Sequence, residues 1–163
     1  MSIDTNRLVR HMNWANQRVY SAVQELPDAA LGSYLVNAEW TAAQILEHIV
    51  AGAEWYVYCL TGQPLARFNQ PESMADVAKL ALVLLERDAI VAQEALKDDE
   101  VLAIDMGDGV YEHYRSTLIA QAIHHATEHR AQLIDALEFR GYKPINLDDI
   151  DLWGFADFEK AHS

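Results

Sequence analysis

Apolar residues recur at three- and four-residue spacing through four long stretches of the chain, the pattern of helices with one buried face. The first runs from about residue 4 to 26, with Leu8, Met12, Ala15, Val19, Ala22 and Leu26 on its stripe, and Pro27 and Asp28 end it. The second opens after Trp40, where Thr41 and Gln44 have the spacing of a capping box, and runs to about Leu60 before "TGQP". Its inward line reads Ile45, His48, Ile49, Gly52, Trp55, Tyr56 and Cys59. The third spans about 73–97, with a stripe of Met74, Val77, Ala78, Ala81, Leu82, Leu85, Ala89, Ala92 and Leu96. Leu80, Val83, Leu84, Ile90 and Val91 fall off that stripe, so this helix is expected to be apolar on more than one face, covered by a long loop or a second subunit. The fourth spans about 116–140, with Gly141 placed to take a left-handed conformation beyond its end and Pro144 barring continuation.

Between the third and fourth helices, two β-prone runs flank Gly107-Asp108-Gly109, a small hairpin or an irregular loop. The tail is expected to add a short helix laying Trp153, Phe155 and Phe158 against the body. Four helices with connections of ten residues or more predict an all-α fold, a four-helix bundle, as a single domain over residues 1–163.

Composition narrows the function more than the fold. Twenty-five acidic against 12 basic residues give a formal charge of −13, with no Lys/Arg cluster to overcome it. Such a field repels phosphate backbones and anionic lipids, so neither nucleic acid nor membrane is expected as a partner. No apolar run approaches the ~20 residues of a membrane span, and "MSIDTNRLVR" lacks the apolar core of a secretory signal. One cysteine, Cys59, excludes an internal disulfide and fits a reducing cytoplasm.

The chemistry lies in the histidines. His125 and His129 are spaced i, i+4 on the inward line of the fourth helix, with Leu118, Ala122, Leu133 and Ala136. His48 sits on the inward line of the second. Three buried imidazoles must each satisfy two nitrogens, at a cost of about 1–3 kcal/mol for each group left unpaired. They are either core histidines with hydrogen-bond partners or the ligands of a metal. Three neutral imidazoles suit zinc, nickel, iron or copper rather than magnesium or calcium. Three protein ligands also leave coordination positions open, as in catalytic sites.

The other candidates are weaker. His124 is rotated about 100° from His125, toward the flank of its helix. His11, beside Trp14, could line a pocket mouth; His113 and His162 are expected in solvent. Gln44, Gln121 and Gln132 lie one turn or less from the histidines and could support them. Glu47 and Glu128 are each turned about 100° from their histidine neighbours, so no general acid or base stands out. Cys59 lies roughly 16 Å along the helix from His48, too far to share its site, and reads as a buried, inert thiol.

The combination of "HMNWANQRVY", "WTAAQILEHIVAGAEWY" and "HHATEHRAQLIDALEFRGY" resembles the DinB family of small metal-binding bundles over nearly the whole chain. The specific parts are a histidine in the second helix and H-x-x-x-H-R-x-Q in the fourth. Many relatives have Gly where this chain has Ala131, which leaves every ligand position in place. The resemblance implies an up-down-down-up bundle, commonly a homodimer, with a metal held by three histidines at His48, His125 and His129. It also implies a reaction class. Such a site can bring the pKa of a bound water toward ~7 or hold a thiol as thiolate. Similar bundles transfer low-molecular-weight thiols such as bacillithiol or mycothiol to electrophiles, or isomerise substrates with a thiol's help. The expectation is a metal-dependent thiol transferase or hydrolase, with zinc or nickel ahead of iron or copper. The alternative is a non-catalytic metal- or small-ligand-binding protein linked to stress response.

Overall fold

A computed structural model describes residues 4–162. It is mostly helical, with one small sheet, and local chemistry sets most helix ends. The carboxylate of Asp4 accepts from the Arg7 N–H at 3.2 Å and opens α1 (Thr5–Gln24). Thr41 Oγ1 accepts from the Gln44 N–H at 3.2 Å and opens α2 (Ala42–Thr61). The capping box is only half formed, because the Gln44 amide bonds Glu47 and Gln70 instead of returning to Thr41. Gly62, with φ +71°, closes α2 through a hydrogen bond from its N–H to Tyr58 O. Ser73 caps α3 (Met74–Glu94). At the start of α4 (Arg115–Phe139), Tyr114 gives no side-chain cap, and the Asp99 carboxylate accepts from the Ser116 N–H and hydroxyl at 2.9 and 2.8 Å. Asp151 caps the tail helix, α5 (Leu152–Ala161), through the Gly154 N–H at 2.8 Å.

The segment between α3 and α4 is a hairpin. Strands β1 (Val101–Asp105) and β2 (Val110–Tyr114) pair antiparallel, Val101 opposite Tyr114 and Asp105 opposite Val110. Gly107 supplies the left-handed residue of the turn at φ +87°, where its N–H donates to Asp105 Oδ1 at 2.8 Å. His113, expected in solvent, is instead half-buried on β2 opposite Leu102.

The four long helices pack as a ring in which α1 and α2 each contact both α3 and α4. Asn6 reaches Ala92 O and Gln17 reaches Ala81 O, so α1 and α3 run antiparallel. The core divides into two apolar clusters. One gathers Val19, Tyr20, Ile45, Ile49, Leu84, Leu133 and Leu137; the other gathers Val9, Met12, Val57, Leu60, Val91, Leu118 and Ile119. Between them lie buried polar groups, Asn16, Asp88, His129 and Arg130. Among the described residues, no helix is long and apolar enough to cross a membrane.

Two further expectations are corrected. The inward line of α3 is Val77, Leu80, Ala81, Leu84, Asp88, Val91 and Glu94, while Leu82, Leu85 and Leu96 are exposed. Two buried carboxylates on this face rotate it away from the most apolar stripe. Glu94 is neutralised there by Arg115 and by Lys97 at 2.5 Å. In the tail helix only Phe155 is fully buried, and Trp153 is 83% exposed. Phe155 and Phe158 meet Trp14 with ring centroids 5.4 and 5.6 Å apart, whereas Trp153 points away.

Candidate metal centre

The α2–α4 seam brings His48, His125 and His129 together. His48 Nε2 lies 3.1 Å from His125 Nε2 and 3.1 Å from His129 Nε2. One ligand atom from each residue falls within 4.8 Å of the others. Metal–nitrogen bonds of about 2.0–2.1 Å place two ligand nitrogens ~3.3 Å apart at a tetrahedral angle and ~2.9 Å apart at a right angle. The observed spacing falls between these limits. Hydrogen bonding alone serves the cluster poorly, because an imidazole nitrogen has one in-plane site, either a proton or a lone pair. His48 Nε2 can therefore make one linear hydrogen bond and not two, whereas a cation at the centre of the cluster would accept all three lone pairs.

The far side of His129 fixes its tautomer. Gln132 Oε1 lies 3.0 Å from the Trp40 indole Nε1 and 2.9 Å from His129 Nδ1. An indole N–H can only donate, so the amide atom it meets is the oxygen. That oxygen only accepts, so His129 Nδ1 carries the proton and Nε2 turns a lone pair to the cluster. This is the outer support usual for metal-bound imidazoles. The Trp40 ring also stands edge-on to His48 and His129, with centroids 5.1 and 5.8 Å away.

His125 has room because residue 52 is glycine. A Cβ there would lie 2.2 Å from His125 Cε1 and 2.8 Å from Nδ1. Tyr56, one turn further along α2, covers the same ring from 5.7 Å. Burial, with His129 and His48 as neighbours, pushes His125 down to about 4. Burial and His129 also hold His48 below the ordinary histidine value, against the opposing pull of Glu128. Both rings are thereby kept neutral, the form that binds metals.

The remaining candidates separate. Of the three glutamines, only Gln132 touches a cluster histidine; Gln121 bonds Tyr56 and Gln44 bonds Glu47 and Gln70. Burial raises the Glu47 carboxyl above its usual range. His11 does not join the site: its Nε2 bonds Ile150 O at 2.9 Å, pinning the turn before α5. His124 and His162 are exposed. Cys59 is buried, and burial pushes its thiol up to about 11.

Sequence reasoning missed the polar layer beside the site. Arg130 Nη1 donates to Asn16 Oδ1 at 2.6 Å, and Asn16 Nδ2 donates to Asp88 Oδ2 at 2.8 Å. The signal was the R of H-R-x-Q and the N of "WAN", both at positions a helical wheel places beside the inward line.

The sequence model of the DinB family matches residues 1–155, and this chain belongs to that family. No curated protein matches it.

Proposed function

We propose that His48, His125 and His129 hold one divalent transition metal, zinc or nickel ahead of iron or copper, and that the protein is a metal-dependent enzyme of the thiol-transfer or hydrolytic type. The observation that carries this reading is the convergence of three Nε2 atoms, one of them locked by Gln132 into the tautomer that presents its lone pair. When bound, the ion would polarise a water or lower the pKa of a thiol so that either could attack an electrophile.

The chain's own residues would prepare the ground for this. His48 and His125, kept neutral by burial, need not lose a proton to bind. Gln132 would keep the His129 ring from turning, and Trp40 and Tyr56 would shield two sides of the cluster from water. Antiparallel α1–α3 contacts support an up-down-down-up order of the helices, as does the pairing of His48 with His129 while Gly52 meets His125.

The test is the metal content, by mass spectrometry, of untagged protein purified without added metal, beside His125→Ala. About one transition metal per chain, lost in the variant, is the expected result. No metal in either, and no uptake of zinc or nickel, would overturn the reading. Cobalt-loaded protein then separates the two chemistries. A small thiol should add an intense near-ultraviolet sulfur-to-metal band if thiols bind, and no such band leaves hydrolysis.

A further inference from the structure

His125 also lines a small cavity walled by Met12, Ile49, Leu84 and Val91, which neither His48 nor His129 lines. It offers about 10 Å³ to the centre of a water molecule, room for one water and no more. Four polar side chains also reach it: Asn16, Tyr56, Asp88 and His125. An empty cavity of this size is ordinarily apolar; one lined by polar groups normally holds water.

Two of these groups have unused hydrogen-bonding capacity. Asp88 is 1% exposed, yet only its Oδ2 has a partner, the Asn16 amide. Among the described residues its Oδ1 has none, although no fully enclosed side-chain polar atom is left without a partner, so this oxygen is the one open to the cavity. His125 uses Nε2 toward the cluster, and its Nδ1 has no hydrogen-bond partner among the described residues. Once Nε2 is a ligand, Nδ1 must carry the proton, and a metal-bound imidazole almost always donates that proton to an acceptor. For His129 the acceptor is Gln132; for His125 none of the described residues provides it.

We infer that this cavity holds one ordered water that accepts from His125 Nδ1–H and donates to Asp88, making Asp88 on α3 a positioning residue for the metal centre on α2 and α4. The inference rests on the proposed metal site. It gives a reason for an otherwise costly buried carboxylate. Burial raises Asp88 to about 7 despite the opposing pulls of Asn16 and Arg130, and in its ionised form its free Oδ1 is a strong acceptor for that water. The chain Arg130–Asn16–Asp88–water–His125 would then tie three helices to one ligand.

The deciding experiment is a high-resolution crystal structure of the zinc-loaded protein, with metal affinities by chelator competition for the native chain, Asp88→Asn and Val91→Ile. Val91→Ile adds one methyl group to the cavity and touches no polar group. A water within hydrogen-bond distance of both His125 Nδ1 and Asp88, with affinity reduced about tenfold or more in both variants, is the expected result. The visible bands of cobalt-loaded Asp88→Asn should also shift, which a purely structural carboxylate would not cause. A dry cavity, a water that misses either group, or affinities within twofold of native would overturn the inference while leaving the metal site standing. A native chain that takes up no metal would instead remove the site itself. Should Asp88→Asn not fold, the crystal structure and Val91→Ile still decide.

Discussion

The His125 ring occupies the space where a side chain on residue 52 would begin, its Cε1 only 2.2 Å from the position of a Cβ there. Glycine costs a helix interior about 1 kcal/mol relative to alanine, so its place in α2 reflects the room it leaves for that ring. Gly52→Ala should leave the metal-free fold within about 1 kcal/mol of native, because the imidazole can swing aside. Zinc affinity should fall at least tenfold. Chemical denaturation of the metal-free protein and chelator competition measure the two effects separately, and unchanged affinity would show that His125 does not need this position.

Gln132 tests the outer support of His129. Gln132→Leu strips the acceptor from both His129 Nδ1 and the Trp40 indole. Metal affinity should fall about 10–100-fold. Gln132→Glu keeps an acceptor oxygen and should retain most of the affinity, which separates hydrogen bonding from packing.

Asp88 gives the metal-free protein a pH dependence of known sign. Its carboxyl rises from the ordinary 3.8 to about 7 on folding. Between these values the folded chain holds a proton that the unfolded chain has released, so stability falls as pH rises through this window. Its contribution is full below about pH 4 and lost above about pH 7. The negative surface acts in the same direction, so the comparison must be with Asp88→Asn. Urea denaturation from pH 4.5 to 8 should show a shallower slope for the variant, and equal slopes would mean that Asp88 titrates as it does in the unfolded chain.

The tail helix offers a paired control. Phe155 is 3% exposed against Trp14, while Trp153 is 83% exposed. Phe155→Ala should cost about 3–5 kcal/mol if the site cannot collapse, and Trp153→Ala should stay within about 0.5 kcal/mol of native. Equal effects in denaturation would show that α5 docks differently.

Cys59 should be silent in the native state. Burial of the thiol, pushed up to about 11, leaves almost no thiolate at pH 8. A coloured disulfide reagent should react with it fully in denaturant and only slowly without. Rapid native reaction would mean that the α2 surface opens.

Much of this protein is written locally. The Thr41, Ser73 and Gly141 boundaries and the i, i+4 placement of His125 and His129 are properties of short segments. The hydrogen bonds and dihedral angles that decide them span only a few residues, and the structure bears them out. The membership of the chain in the DinB family was also legible, through the H-x-x-x-H-R-x-Q stretch and the histidine of α2.

Only the tertiary structure decided what those segments face. That His48 meets the other two histidines depends on α2 packing against α4, and spacing along one helix says nothing about its neighbour. The inward face of α3 could not be read from apolar content, because Asp88 and Glu94 are buried there and Leu82 is not. A buried charge is tolerated only when a partner arrives from elsewhere in the fold, Arg115 for Glu94 and Asn16 with Arg130 for Asp88. Sequence by itself determined the helices and the candidate ligands. The packing of those helices decided which histidines converge, which glutamine holds one of them, and why a glycine and a buried carboxylate stand beside them.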